Sequence, residues 1–299
     1  MIMTGEPAIR VLSLGAGVQS TVLALLATEG ALPGLDAAVF ADTGWEPGAV
    51  YAHLDRLTAV LGDAGIPVHR VSSGNLRADA IDPVHRYASI PYFVRNPDGS
   101  DGMGRRQCTA EYKITPIGRK VRELLGAAPP DFRRVPAGRV AEQWIGFSVD
   151  EIHRVSDKDR VSYLAKRYPL LDLGMSRKDC IRWLGSRGWD QVSKSACIGC
   201  PFHGNRQWRD MRDNRPAEWA DAVEFDAAIR KGGANPLDGE AFLHASRVPL
   251  DQAPIDRVTR TEWRTRQGDL LDVLADQRME DGDPDGCSPY GCRSGEAVA

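Results

Sequence analysis

The chain lacks any apolar run long enough to span a bilayer. Its N-terminus, Met1-Ile-Met-Thr-Gly-Glu-Pro7, has neither the basic start nor the apolar stretch of a secretory signal. A cytoplasmic protein with no membrane partner is therefore expected. There is little net charge, −3 over 299 residues, which argues against a generic polyanion binder. Internal repeats and low-complexity tracts are absent, which excludes solenoids and arrays. Cysteines are few, six in all, and no two are adjacent. In a reducing compartment six thiols point to metal or redox chemistry more than to structural disulfides. What remains, 42% hydrophobic residues with seven tryptophans, suffices for a substantial core.

The charge that is present is uneven. Residues 101–200 hold 19 Lys and Arg against 12 Asp and Glu. That middle section has two readings: solvated helix faces, or an anion-binding region for nucleotide phosphates or a nucleic acid.

Hydrophobic patterning predicts strands near 9–14, 37–41 and 67–72, with helices near 19–29 and 47–64 between them. Residues 73–107, punctuated by Pro83, Pro91, Pro97 and the glycines at 99, 102 and 104, read as a long irregular excursion. Further on come a helix over 114–125, a strand over 144–148, a short helix over 176–187 with Ser176 as N-cap, and helical patterns over 206–231 and 261–278. The last twenty residues look loosely ordered. Alternation of this kind predicts a doubly wound, mostly parallel α/β sheet with a C-terminal helical portion. We divide the chain into a nucleotide-binding α/β domain, 1–175, and a cysteine-site and helical region, 176–299.

The first strand runs through Val11-Leu12-Ser13-Leu14 into Gly15-Ala16-Gly17-Val18-Gln19-Ser20-Thr21 and then an Ala/Leu-rich helix. Strand, glycine turn and helix N-terminus together present backbone N–H groups and a partial positive charge, which suits a phosphate. Ser20 and Thr21 add hydroxyls. No lysine ends the loop, so it is not a Walker motif, and a third glycine is missing from the place a dinucleotide fingerprint requires. The second strand ends in Asp42-Thr43-Gly44, at another sheet edge where ligands of parallel sheets bind.

Cys197-Ile-Gly-Cys200 is a CxxC pair, with Cys108 and Cys180 upstream. Four thiolates would complete a zinc site or an iron–sulfur cluster. A thioredoxin-type pair and plain buried thiols are the other readings. Lys113 is a candidate phosphate-binding point charge. Asp150, Glu151 and Arg154 leave the 144–148 strand together, as ligands for Mg²⁺, ribose or phosphate or as a helix cap with a surface salt bridge. Cys287 and Cys292, in a polar tail, are either a mobile nucleophilic thiol pair or inert.

Taken together, these blocks resemble the phosphoadenosine phosphosulfate (PAPS) reductase-like family of the PP-loop ATP pyrophosphatases. The resemblance is carried by Gly15-Ala-Gly-Val-Gln-Ser20, Asp42-Thr-Gly44, Arg106-Gln-Cys-Thr109 with Lys113 and Pro116, Ile145-Gly-Phe-Ser148 with Glu151 and Arg154, Tyr168 through Cys180, and Ser195-Ala-Cys-Ile-Gly-Cys-Pro-Phe-His203. It covers roughly residues 10–205. The family's loop has serine where Gly15 stands and aspartate where Gln19 stands. The adjacent Cys-Cys pair of the cluster-bearing adenylyl-sulfate reductases and the catalytic tail of the sulfonucleotide reductases are not matched.

The resemblance implies an adenine nucleotide α-hydrolase-like fold. It implies nucleotide binding by residues 15–21, Asp42, Thr43, Gly44, Asp150 and Arg154, with Ser20 and Lys113 in catalysis; a catalytic role for Cys287 and Cys292 is expected only from the tail's own chemistry. A [4Fe-4S] cluster on Cys108, Cys180, Cys197 and Cys200 is implied, with zinc as the alternative. Mg²⁺-ATP would adenylate a substrate, after which sulfur would displace AMP. The alternatives are thiol-dependent reduction of PAPS or its unphosphorylated analogue, and a non-catalytic nucleotide- or nucleic-acid-binding component. Partners would be a sulfur donor or thiol reductant and a nucleic-acid or small-molecule acceptor. The oligomeric state is not specified by these features.

Overall fold

A computed structural model describes residues 6–85, 90–155, 161–190, 192–234, 237–260 and 262–263. The elements follow in the order β1 (Ile9–Leu14), α1 (Val18–Thr28), β2 (Ala37–Asp42), α2 (Gly48–Asp63), β3 (Val68–Ser72), α3 (Leu76–Ile81), β4 (Phe93–Arg95) and β5 (Asp101–Met103). A π turn, Ala110–Ile114, runs directly into α4 (Thr115–Leu124). Then come β6 (Ala141–Trp144), a 3-10 segment (Val149–Arg154), β7 (Leu164–Arg167), α5 (Pro169–Asp172), α6 (Arg177–Gly185), α7 (Asn205–Asn214), α8 (Pro216–Ala228) and β8 (Glu240–Phe242).

Five strands form one sheet in the order β3-β2-β1-β6-β7, every pair parallel. The period-2 alternation of a strand decides which helix each residue meets. Leu12, Leu14, Ala38 and Phe40 pack with α1, α2 and α6, while Val11, Val39 and Ala41 pack with Ile117 and Val121 of α4 on the opposite face. The expected parallel α/β sheet is present. After β1 the chain turns to one side of the sheet, through β2 and β3, and later returns to the other side through β6 and β7. The connections leaving β1 and β6 run to opposite sides of the sheet, which makes this the topological switch point, where ligands of parallel sheets bind.

Several boundaries differ from the sequence reading. The strand expected over 144–148 lies at 141–144, and Ile145–Ser148 form the loop beyond it. Its polar residues hid it. Gln143 is buried and donates to Ser13 Oγ at 2.8 Å, and Glu142 meets Arg10 and Arg167. The helical pattern over 206–231 is two helices, because Pro216 cannot continue the hydrogen-bond ladder of α7. The excursion after residue 73 contains α3 and the β4–β5 hairpin, which β8 joins in a second, antiparallel sheet. The 261–278 pattern, apart from residues 262–263, and the tail with Cys287 and Cys292 lie outside the described residues.

Two large clusters of buried residues lie among the described residues. One joins the sheet to α1, α2 and α6, so α6 packs with the N-terminal half of the chain. The other joins Trp45, α3, Tyr112 and the CxxC loop to α7 and α8. Asp226 fastens that second cluster: it accepts the N–H groups of Leu243 and Leu250 and pairs with Arg230. Among the described residues no helix is long and apolar enough to cross a membrane.

Candidate functional site

The loop after β1 is a tight turn. Ala16 takes φ +53°, a left-handed conformation that favours glycine, and Gly17 caps α1 in an extended conformation. α1 begins at Val18, so the N–H groups of its first turn have no partner within the helix. Ser20 Oγ folds back on the loop, 3.3 Å from Gly17 N and 3.1 Å from Gly17 O. Thr21 is fully buried and its hydroxyl is occupied by Gly17 O and His53 Nε2, both at 2.8 Å. Burial lowers the His53 pKa to about 4. Thr21 is thus a support of the loop, and Ser20 braces the turn at Gly17 in the resting structure.

Two other segments close on the loop. A Cβ on Gly146 would stand 3.1 Å from Ser20 N, so the loop after β6 presses on the first turn of α1. Ser195 approaches from the other side, its Cβ 3.6 Å from where a Gly17 Cβ would be. The Ser195 hydroxyl is buried and has no hydrogen-bond partner.

Gln19, where the resembled family has aspartate, is buried between charges. Its amide donates to Glu151 Oε2 at 3.0 Å and accepts from Arg177 at 2.9 Å. Glu151 also pairs with buried Arg154, whose guanidinium lies over Phe147. An aspartate at 19 would face another carboxylate, whereas an amide serves both neighbours. Asp150 is exposed and accepts Arg177 N at 2.6 Å and the Ser148 hydroxyl at 3.3 Å, which fixes the start of α6. Arg154 and Asp150 are therefore braces behind and beside the loop.

Asp42 Oδ1 accepts Gly44 N and Tyr51 Oη, each at 2.7 Å, and shapes the turn after β2. Burial and this carboxylate push the Tyr51 pKa up. Gly44 needs its positive φ of +69° and sits against Asn75. Thr43 is buried 3.3 Å from Cys197 Sγ and 3.3 Å from Glu46 Oε1. Lys113, delivered by the π turn, is buried with its Nζ 3.1 Å from the same Glu46 oxygen. Its charge is directed at Glu46. Glu46 Oε2 is buried without a hydrogen-bond partner.

Cys108, Cys197 and Cys200 line one small cavity with Trp45, Leu76, Ile90, Arg106 and Phe202. Cys197 Sγ lies 3.7 Å from Glu46 Oε1. Cys180 is elsewhere, fully buried on α6 in the sheet cluster, where desolvation pushes its thiol up to about 12. The four cysteines are thus not brought to one point. Among the described residues no three His, Cys, Asp or Glu side chains stand as a metal site. The three cavity thiols remain together as candidate ligands for a thiophilic metal.

Trp45 and Glu46 escaped the sequence reading as site residues, although both were visible in the run after Asp42-Thr-Gly44. Trp45 holds the two halves of the site together. Its carbonyl accepts Ile198 N at 3.0 Å, its indole N–H donates to Asp221 at 2.5 Å, and its ring packs at a tilt against Phe225, centroids 4.4 Å apart. A Cβ on Gly199 would overlap that ring, which is why the CxxC has glycine there. No spacing signal could have revealed Asp221 or Phe225 as partners of Trp45. None of the known family models matches this chain, and no curated protein matches it.

Proposed function

We propose that this protein is a PAPS reductase-like enzyme that binds an adenine nucleotide at residues 15–20 and carries out sulfur chemistry beside it, on an adenine nucleotide α-hydrolase-like fold. The observation that supports the reading best is the position of Ser195. Its buried, unpartnered hydroxyl stands at the mouth of the glycine loop, two residues before Cys197. An unsatisfied buried hydroxyl costs about 1–3 kcal/mol, and a phosphate oxygen at the helix N-terminus would satisfy it.

In this reading Gly15, Gly17, Ser20, Ser195 and the first-turn N–H groups hold the phosphates of ATP, with Mg²⁺ as the accompanying cation. A substrate oxygen attacks the α-phosphorus, pyrophosphate leaves, and the substrate becomes an adenylate. A sulfur nucleophile then displaces AMP. The protein contributes orientation and neutralisation of charge by donors fixed in advance. Cys108, Cys197 and Cys200 would face the sulfur-bearing partner, and no step is routed through a metal centre.

Calorimetry with ATP and with PAPS, and a pyrophosphate release assay, test this. Ser20→Ala and Ser195→Ala should each weaken nucleotide binding by about 1.5–3 kcal/mol, since each removes a hydroxyl donor to a charged oxygen. Wild-type protein that binds neither nucleotide, or both variants binding with undiminished affinity, would end the proposal. Sulfite release from PAPS without pyrophosphate release from ATP would replace adenylation with reduction.

A further inference from the structure

We propose that the surface around the C-terminal end of α4 docks the phosphodiester backbone of a nucleic acid. Between residues 119 and 139 stand six cations, Arg119, Lys120, Arg122, Arg133, Arg134 and Arg139, against two carboxylates, Glu123 and Asp131. In a chain of net charge −3 this is a strong local excess. Contacts bring the loop that carries Arg133, Arg134 and Arg139 against the C-terminal part of α4. Arg119 donates to Pro130 O at 3.0 Å and lies over the Phe132 ring. Arg122 donates to Phe132 O at 2.6 Å, so the loop after α4 is tied down on the helix. Arg139 Nη1 lies 3.3 Å from where a Gly126 Cβ would stand, over the glycine that ends the helix.

A helix C-terminus attracts a cation through its dipole. That explains Arg122 but not Arg133, Arg134 and Arg139, which lie outside the helix. Lys120 is neutralised by Glu123 at 2.8 Å, and Arg133 meets Asp131 while remaining 82% exposed. Arg119, Arg134 and Arg139 are exposed as well. Five of the six cations are arginines, whose planar fork matches phosphate and stacks on flat groups. Among the described residues, none of the large exposed hydrophobics, such as Ile152, Leu173 or Trp263, belongs to this surface, so it offers no apolar anchor for a lipid layer.

The surface is distinct from the nucleotide loop. α4 leaves the site at Thr115, beside Lys113, and runs about 15 Å to the other end of the sheet over its ten residues. Contacts there would hold and orient a polymer without reading its sequence.

The test is fluorescence anisotropy with labelled single-stranded and duplex RNA and DNA of mixed sequence, over about 50 to 200 mM salt. The triple variant Arg133→Ala/Arg134→Ala/Arg139→Ala should bind at least about tenfold more weakly at low salt, and the slope of log affinity against log salt should shrink by about two to three. The Arg→Lys triple should keep the salt slope. Removing three guanidiniums elsewhere, Arg70→Ala/Arg182→Ala/Arg187→Ala, changes the net charge equally and should have little effect. The four probes decide which polymer and which strand state is preferred. The proposal fails if wild type binds no oligonucleotide, if the alanine triple binds as wild type does, or if the distant triple loses as much. Binding to phosphatidylserine vesicles without oligonucleotide binding would replace it with a membrane surface.

Discussion

Cys180 and Cys197 are both buried thiols, yet they sit in opposite kinds of interior. Cys180 is on α6 in the sheet cluster, and burial is the main cause that pushes its proton affinity up, with Asp179, Asp150 and Glu151 adding to it. Cys197 is in the Trp45 cluster, against the Thr43 hydroxyl and a Glu46 carboxylate that Lys113 also touches. The first interior is built from periodic apolar residues on neighbouring elements. The second is assembled from single residues far apart in the chain and contains charge. Burial of a cysteine therefore says nothing of its role until its neighbours are known.

The largest expected effect separates the two interiors directly. Glu46→Ala or Lys113→Met alone should destabilise the protein by about 3–5 kcal/mol, because each leaves the other charge buried without its counterpart. Cys180→Ala, which deletes one buried thiol, should cost less. The double variant Glu46→Gln/Lys113→Met should recover much of the loss. Chemical unfolding of the four variants measures this, and equal losses for Lys113→Met and Cys180→Ala would erase the distinction.

Gly199→Ala comes next. Its Cβ must displace the Trp45 ring, and overpacking of this kind costs about 1–3 kcal/mol. The intrinsic fluorescence of Trp45 should shift, although Cys180 and its surroundings stay unchanged. A spectrum and melting point identical to wild type would mean that the CxxC loop has room to move.

Reactivity sharpens the contrast further. At pH 8 in the native protein, iodoacetamide should label Cys200 and Cys108, which are partly exposed, well before Cys180. The sign for stability follows from the same shift. The Cys180 thiol keeps its proton longer when folded, so stability falls as pH rises from about 9 towards about 12. Cys180→Ala should remove that decline. Any thiophilic metal found in the purified protein should likewise survive Cys180→Ala and be lost on replacement of Cys197. Loss of metal in Cys180→Ala would restore the four-cysteine set.

A further effect lies on the acid side and is shared by the two clusters. His53 packs beside Thr21 and Trp189, and His203 lies 3.0 Å from Cys197 O, in the other cluster. Burial lowers both pKa values to about 4. The unfolded chain takes up these protons first, so stability is complete above about 6.5 and is lost as pH falls towards 4. His53→Asn and His203→Asn should each flatten the melting temperature across that window. A profile unchanged by both replacements would place the acid sensitivity elsewhere.

How far the sequence could be read follows the same division. Apolar β1 and β2, with the glycine turn and helix that follow, announced the sheet and the loop because their signals are local. β6 was misplaced because Glu142 and Gln143 are paired across strands, which a one-dimensional pattern cannot show. The CxxC was visible, and its cavity partner Cys108 was named. Cys180 was grouped with them on residue type, and only three-dimensional packing separates it. Trp45, Glu46 and Asp221 meet over separations such as the 176 residues between Trp45 and Asp221, beyond any spacing rule.

The π turn that precedes α4 sets an angular phase. A π segment holds one more residue per turn than an α-helix needs, and successive helical residues differ by about 100° in direction. The extra residue between Ala110 and Ile114 is what lets Tyr112 and Lys113 both face inward while Ile117 and Val121 still meet the sheet. Deleting one residue there would let the segment relax to an α-helix without disturbing α4. Lys113 would then point about a quarter turn away from Glu46. The charge balance of the buried site thus depends on a residue count in the helix as much as on the residues themselves.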